Sequence, residues 1–175
     1  MSERIFVSTT IPAGDIIANT ASATTFATQM ILGCQTPARG GQTVRVSLYG
    51  TISTDATPGT LTINVNNNAV VLGTTGAFNP PASLSAAPFC LEGFMVNSTT
   101  ASLLMTFFGK LTIQGASNAP FMVGIVPTGM ASGGTTGWAT VSLAASQQDL
   151  NVSATWSSAL ATNIICGAFF YEVVI

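Results

Sequence analysis

Hydrophobic and polar side chains alternate along much of this chain, with the period of two that is typical of half-buried β-strands. The clearest case is TVRVSLYGTIS, residues 43–53, in which one face carries Val44, Val46, Leu48 and Ile52. The other face carries Thr43, Arg45, Ser47, Tyr49 and Thr51. No convincing 3.6-residue period of an amphipathic helix is visible, so the pattern predicts an all-β protein.

A β-hairpin is predicted directly after this strand. In TLTINV the inward positions are Leu61, Ile63 and Val65, and the chain returns through AVVL, residues 69–72. Between them, Asn66, Asn67 and Asn68 are predicted to form the turn, because Asn tolerates the left-handed conformation of tight hairpins.

Further strands are predicted over most of the remaining chain. They cover residues 4–9, 25–32, 89–97, 101–113, 119–126, 140–145, 149–156 and 163–175. Trp156 shares a face with Leu150 and Val152, which favours packing in the core. Short strands separated by turn-rich segments are typical of a sandwich. We expect a single antiparallel β-sandwich, an eight-stranded jelly roll, as one domain over residues 1–175 with a short extended N-terminal segment.

The last strand, NIICGAFFYEVVI, is apolar on both of its alternating faces. In a monomer one face of such a strand packs on the opposite sheet and the other is polar. Two explanations stay open: the long uncharged loop over residues 73–88 covers one face, or the strand forms a subunit interface. The second is favoured because obligate interfaces resemble a core cut in half. The predicted interface residues are Ile164, Phe170, Tyr171 and Val174.

Composition narrows the range of partners. Hydrophobic residues make up 47% and charged residues 6% of the chain, against about 25% charged residues in an average domain. Because the chain carries few charges, electrostatic repulsion between its copies is weak, and we expect self-association. With four basic residues and a net charge of -2, direct nucleic-acid binding is not expected. Neither a signal peptide nor a membrane-spanning run is visible, and no membrane partner is expected.

Candidate chemistry is sparse. The chain has no histidine, which excludes Ser-His-Asp and Cys-His mechanisms and most transition-metal sites. Its six acidic residues form no recognisable motif, so we expect no enzyme activity, no metal and no cofactor. Asp55, within STDATPG, is expected to serve a turn. Trp138 adjoins a glycine and is a candidate glycan contact, although exposed aromatic residues more often serve packing or interfaces.

The three cysteines, Cys34, Cys90 and Cys166, lie far apart, and no CxxC spacing occurs. Reduced, buried structural thiols in a protein made in a reducing cytoplasm are the favoured interpretation. One disulfide with a remaining free thiol stays open.

Several segments together resemble a pattern found in tailed-phage virion proteins. They are IIANTASATTFATQMIL (16–32), VRVSLYGTIS, TLTINVNNNAVVL and the closing LNVSATWSSALATNIICGAFFYEVVI. The resemblance implies a jelly-roll domain on the virion surface, usually trimeric, of the head decoration (cement), head-fibre or tail-fibre type. The longer, Pro-containing middle loop departs from the pattern. The lack of a collagen-like or coiled-coil stalk argues against a long fibre.

The expected function is therefore structural. The leading hypothesis is a capsid decoration protein that is made in the host cytoplasm, lies on the head surface, and binds the major capsid protein and itself as a homotrimer. The second hypothesis is a receptor- or glycan-binding module of a fibre or tail. A small jelly-roll coat protein ranks lower, because residues 1–25 hold one cation, Arg4, where such proteins commonly carry a basic arm. A hydrolase ranks lower still, because it requires converging acids.

Overall fold

In the computed structural model the described residues are 6–9, 16–18, 24–32, 43–97, 104–115, 119–128, 139–140, 147–157 and 163–174. Side-chain burial is described for 43–97, 104–115, 119–128, 139–140 and 150–157. The described residues form twelve strands: β1 Phe6–Thr9, β2 Ile16–Ala18, β3 Thr24–Leu32, β4 Thr43–Ser53, β5 Leu61–Asn67, β6 Val70–Thr74, β7 Ala87–Asn97, β8 Leu104–Gln114, β9 Pro120–Pro127, β10 Ala139–Thr140, β11 Gln147–Trp156 and β12 Asn163–Val174. The prediction of an all-β fold is confirmed.

The strands form one antiparallel sheet that folds over on itself as a sandwich. The strand order is β1-β12-β4-β7-β8-β9-β6-β5-β11-β3. We call the layer from β1 to β9 sheet A and the layer from β6 to β3 sheet B. The layers join where β9 pairs with β6 over two residue pairs, while β2 and β10 pair with β12 and β8 within sheet A.

Eight of the strands are paired in a nested order. The strand β4 pairs with β12, β5 with β11, β6 with β9, and β7 with β8. Such nesting arises when one long antiparallel hairpin folds over on itself, which is how a jelly roll is built. The predicted antiparallel sandwich is confirmed, and β1, β2, β3 and β10 are additions around these eight strands.

The core lies between the inner faces of the two sheets. Sheet A contributes Val44, Val46, Leu48, Leu91 and Phe107, and sheet B contributes Leu61, Ile63, Val152, Ala154 and Trp156, all at most 1% exposed. The inward faces predicted for β4 and β5, and the core position of Trp156, are therefore confirmed. Burial of this continuous apolar layer is the main term that stabilises the fold.

The hairpin turn is displaced from its predicted place. Asn66 and Asn67 belong to β5 and are buried, and the turn lies at Asn68 and Ala69. Asn68 has φ = 51°, the left-handed conformation expected of a turn asparagine. The strand extends further because β5 stays paired with β11 as far as Asn67 and Leu150, and the amide Nδ2 of Asn66 donates to Oδ1 of Asn151 at 2.8 Å.

The long loop between β6 and β7 is shorter than predicted, because Gly73 and Ala87 belong to strands; it spans residues 75–86. The loop is fastened to the end of β4. The amide of Leu84 donates to Oγ1 of Thr54 at 3.0 Å, and Oγ1 of Thr54 donates to the carbonyl of Pro81 at 2.7 Å. Asp55 accepts at its Oδ1 from the amide of Thr57 at 3.0 Å, which confirms its predicted role in a turn.

The strand β12 lies inside sheet A. Its one edge pairs with β4, and its other edge pairs with β1 and β2. The register with β4 shifts between Cys166 and Ala168, so Gly167 is the extra residue of a β-bulge. The alternation along β12 therefore changes phase at Gly167, which the sequence pattern did not indicate.

Candidate functional site

Exposed hydrophobic side chains gather on the outer face of sheet A. Among the residues whose burial is described, the exposed large hydrophobic side chains are Tyr49 (41%), Phe94 (39%), Phe108 (47%), Met122 (63%) and Val126 (41%). All five occupy outward positions of the four consecutive strands β4, β7, β8 and β9. Clustered exposure of this kind marks interaction surfaces, whereas isolated exposed hydrophobic residues are ordinary.

Pairing between the strands arranges this face in rows that run across the sheet. In the first row Arg45 is paired with Phe94, and Phe94 with Phe108. The rings of Phe94 and Phe108 lie 6.1 Å apart between centroids, tilted by 40°, within the range of favourable aromatic pairs. Together with Val126 on β9 these two rings form what we call the aromatic ridge.

Polar side chains form the next row. Ser47 is paired with Glu92, Glu92 with Lys110, and Lys110 with Gly124. Beyond it, Tyr49 is paired with Cys90, and Thr112 with Met122. The face is therefore mixed, with an apolar ridge beside a polar row.

A depression of about 440 Å³ lies along the aromatic ridge and the polar row, and we call it the groove. Its lining includes Arg45, Glu92, Phe94, Phe108, Lys110 and Gly124. A side chain added at Gly124 would meet no atom within 4 Å. The absence of a side chain there opens the β9 end of the groove.

The groove carries more positive than negative side chains. A guanidinium nitrogen of Arg45 lies 3.7 Å from a carboxylate oxygen of Glu92, with both side chains partly exposed. Lys110 is exposed on the other side of Glu92, at the paired position of β8. With two cations and one carboxylate the groove carries a net positive charge. An exposed pair such as Arg45–Glu92 stabilises the fold little.

Cys90 and Tyr49 form a hydrogen-bonded pair on the same face. Partial burial raises the pKa of the Cys90 thiol, and the nearby Glu92 carboxylate raises it further. Partial burial likewise raises the pKa of the Tyr49 phenol, with Cys90 as the next contribution. Cys90 is a free thiol and only partly buried, where the sequence predicts a buried one. A thiol with a raised pKa is a poor nucleophile at neutral pH.

Two paired glycines position the aromatic ridge. Gly93 and Gly109 face each other across β7 and β8. A Cβ on Gly93 would lie 2.5 Å from the carbonyl oxygen of Phe108 and 2.9 Å from Cα of Gly109. It would also collide with the ring of Phe107. The absence of Cβ atoms at this pair therefore lets the two strands approach closely, with the buried Phe107 ring against Gly93 and the exposed Phe108 next to Gly109 in the chain.

The outer face of sheet B is different in character. Nδ2 of Asn66 donates to Oδ1 of Asn151 at 2.8 Å and to Oγ of Ser153 at 3.1 Å, and Nδ2 of Asn151 donates to the carbonyl of Asn68 at 3.0 Å. Asn64 is paired with Ser153 on the same face. This neutral surface is already satisfied by hydrogen bonds, so the two outer faces of the sandwich are not equivalent.

The residues predicted as an interface all belong to β12. Ile164 and Tyr171 are paired with the core positions Ile52 and Val46, and Phe170 and Val174 are paired with Ser47 and Thr43. The first two register positions belong to the inner face of sheet A, and the last two belong to its outer face. Whether these residues contact another subunit stays a prediction.

Other predicted residues fall elsewhere. Trp138, the candidate glycan contact, and Cys34 lie outside the described residues, and Cys166 is paired with Gly50. Within the described part of the chain no group of three or more His, Cys, Asp or Glu side chains is placed to hold a metal ion. No helix there has the length and apolar character to cross a membrane.

The sequence interpretation missed the aromatic ridge, although one signal was available. Two consecutive phenylalanines in a strand, Phe107 and Phe108, must lie on opposite faces. One of them is therefore outside if the other is in the core.

Comparisons with known proteins give remote likenesses only. No protein-family model matches the chain, and no curated protein matches it. Among solved structures, a peanut lectin with a 9mer peptide has a TM-score of 0.42 at 8% identity, over 99% of both chains. The carbohydrate-binding module CBM2 of the evolved Dit of Lactobacillus casei BL23 phage J-1 has a TM-score of 0.35 at 10% identity, over 90% of this chain and 74% of that one.

Proposed function

We propose that this chain is a non-enzymatic structural protein of a phage virion, and that it is a head decoration (cement) protein. In this proposal it is made in the host cytoplasm and binds the assembled shell of major capsid protein as a homo-oligomer, with a trimer as the expected state. The observation that carries the proposal is the collection of five exposed hydrophobic side chains on the outer face of sheet A.

Among the residues whose burial is described, the exposed large hydrophobic side chains lie on that face, so contact with a partner there buries apolar surface. The groove and the aromatic ridge bring exposed rings together with few charges, as in the centres of protein interfaces. In a chain with 6% charged residues, electrostatic repulsion gives such a surface little protection from unwanted association. A permanent partner would cover it.

The mechanism requires binding alone. A protein that binds the assembled shell and not the separated subunits stabilises assembly by mass action, by about 2.7 kcal/mol per site at a hundredfold excess over Kd. Repeated over a particle and coupled through an oligomer, modest contacts make the shell resistant to disassembly. The proposal involves no catalytic step and no cofactor, consistent with a sequence that lacks histidine.

A glycan-binding module of a tail or fibre is the second candidate. The groove favours it, because exposed aromatic rings beside a few charged and polar groups are also what a sugar site needs. The exposed ridge consists of Phe and Val with no Trp, and its apolar character ranks protein docking first.

The test uses shells that lack this protein. Purified wild-type protein is expected to co-sediment with them to saturation and to raise the temperature at which they release DNA or fall apart. Phe108→Asp places a charge on the aromatic ridge and is expected to weaken binding by roughly 30-fold or more, as for a central interface residue. Asn64→Asp places the same charge on the outer face of sheet B and is expected to bind as wild type does.

Copy number separates the two candidates. Electron microscopy of the intact particle is expected to show hundreds of copies on the head. A few dozen copies or fewer at the tail, together with glycan-array binding by purified protein, would establish the second candidate. Equal shell binding by Phe108→Asp and wild type would remove the outer face of sheet A from the proposal.

A further inference from the structure

The size of the outer face of sheet A limits what can occupy it. Its three rows on four strands cover about 19 Å by 14 Å, since strands lie ~4.8 Å apart and residues rise ~3.4 Å. That is about 270 Å², whereas a stable protein contact buries about 800 Å² on each partner. These rows on β4, β7, β8 and β9 are therefore too small by themselves for a stable flat contact with another copy of this chain.

The groove suits a narrow insertion better than a flat surface. Its volume of about 440 Å³ lies within the range of sites that enclose a small ligand, ~300–1,000 Å³. The open space above Gly124 adjoins the exposed Val126, on the same outward side of β9 as Met122. An apolar side chain of a partner that lies at this point enters the groove beside Val126.

The net charge of the groove indicates which charge its occupant carries. Arg45 and Glu92 compensate each other at 3.7 Å. Lys110, which adjoins Gly124 in the paired register, supplies the surplus positive charge. An occupant with an acidic side chain close to its apolar one matches this arrangement.

We propose that the groove binds a short extended segment of the shell protein, with an apolar side chain above Gly124 and an acidic side chain at Lys110. This inference rests on the proposed function, and names the part of the shell that the decoration protein recognises. A single groove of this size binds weakly, and several grooves in one oligomer bind tightly when they engage neighbouring segments together.

The experiment measures binding of overlapping synthetic peptides that span the shell protein, by fluorescence polarisation against the full-length chain. We expect one region of the shell protein to bind. Gly124→Leu places a side chain in the space above β9, where its Cβ would meet no atom within 4 Å, and is expected to weaken the binding of that peptide by roughly 30-fold. Ala69→Leu adds the same side chain at the exposed hairpin turn and is expected to bind as wild type does.

A charge variant gives a second measurement that does not depend on filling the groove. Lys110→Glu is expected to weaken peptide binding by about 2- to 5-fold at low salt, and this difference shrinks as salt is added. Lys110→Arg keeps the charge and is expected to restore most of the affinity. Circular dichroism of each variant confirms that the fold is retained.

The outcomes separate this inference from the proposed function. If intact shells bind but no peptide does, or if Gly124→Leu and Lys110→Glu bind the peptide as wild type does, the inference is wrong and the decoration function stands. If neither shells nor peptides bind, both are wrong. Binding of a neutral or acidic polysaccharide that Gly124→Leu abolishes would overturn the peptide proposal and make the groove a glycan site.

Discussion

The glycines of sheet A offer a graded test of how the aromatic ridge is built. Gly109, Gly93 and Gly124 lie within the same few residue rows, yet their surroundings differ. A Cβ on Gly109 would collide with the carbonyl oxygen of Glu92 and lie 2.8 Å from Cα of Gly93, both of them backbone atoms. On Gly93 it would meet the ring of Phe107 and, at 2.5 Å, a backbone carbonyl oxygen. On Gly124 it would meet nothing within 4 Å.

These distances set the order of the expected costs. Real Cβ atoms essentially never approach other atoms within 3.0 Å, so Gly109→Ala and Gly93→Ala force the paired strands apart. Overpacking in a close-packed region costs about 1–3 kcal/mol, and backbone displacement belongs at the upper end of that range. Gly109→Ala is expected to cost most, because both of its obstacles are backbone atoms. Gly124→Ala removes freedom from the unfolded chain without strain, and is expected to stabilise the protein by about 0.4–1 kcal/mol.

Urea unfolding followed by circular dichroism measures the three free energies of unfolding, with the slope against urea checked for constancy. Tryptophan fluorescence gives an independent transition. Gly109→Ala should also reduce shell binding, because separating β7 from β8 displaces Phe94 and Phe108. If Gly109→Ala and Gly124→Ala differ by less than about 0.5 kcal/mol, the ordinary range of surface substitutions, then the close approach of the strands does not constrain the sheet.

Three further results are expected. Asn68→Val should lower the free energy of unfolding by about 1–2 kcal/mol, because a β-branched residue resists the left-handed conformation, while Asn68→Gly should change it little. With the other two cysteines replaced by serine, the free energy of unfolding should fall above about pH 9. The folded protein holds the Cys90 thiol and the Tyr49 phenol above their usual pKa values, so it binds their protons more tightly than the unfolded chain does. Cys90→Ser with Tyr49→Phe should remove this decline, as measured by urea titrations. Ultracentrifugation should show an oligomer that Phe170→Asp dissociates with the β-fold kept, and an unchanged mass would place the interface elsewhere. Phe170 is the sharper choice on β12, since its register partner is the outward Ser47.

The strand pattern could be predicted because it is local. The strand β4 spans the residues predicted for it, Thr43–Ser53, and β3, β7, β8, β9, β11 and β12 lie within one or two residues of their predicted bounds in most cases. The sequence pattern does not resolve the two shortest strands, β2 and β10, because two or three residues carry no period. Of the predicted strand 140–145, residues 141–145 lie outside the described residues.

Where the prediction from alternating hydrophobic positions is wrong, a contact with another strand is the reason. The sequence predicts a turn at Asn67, but its side chain is fully buried and its Nδ2 lies 3.5 Å from Sδ of Met105 on β8. The strand β8 comes from the opposite sheet, so no local pattern could reveal the contact. The bulge at Gly167 likewise depends on pairing with β4, and a glycine within a strand suggests such a bulge without placing it.

The candidate site was less accessible from the sequence than the fold. Adjacent Phe107 and Phe108 imply one outward ring, but the position of Phe94 beside it requires the β7–β8 register. The groove also requires Gly124 to lie opposite Lys110 on a third strand. A site assembled across four strands depends on pairings that single-strand patterns do not contain.

The nested pairing of strands also governs when this protein can fold. Thr43 and Val174 are partners in the sheet although about 130 residues separate them in the chain, and such distant contacts make folding slow. At synthesis rates of ~5–20 residues per second, β4 waits roughly 6–25 s before β12 exists. During that interval the edge of β4 that pairs with β12 stays open, and an open strand edge is a site of aggregation. Yield of soluble protein should therefore depend on chaperones and on slow, cool expression more than on the final stability of the sandwich.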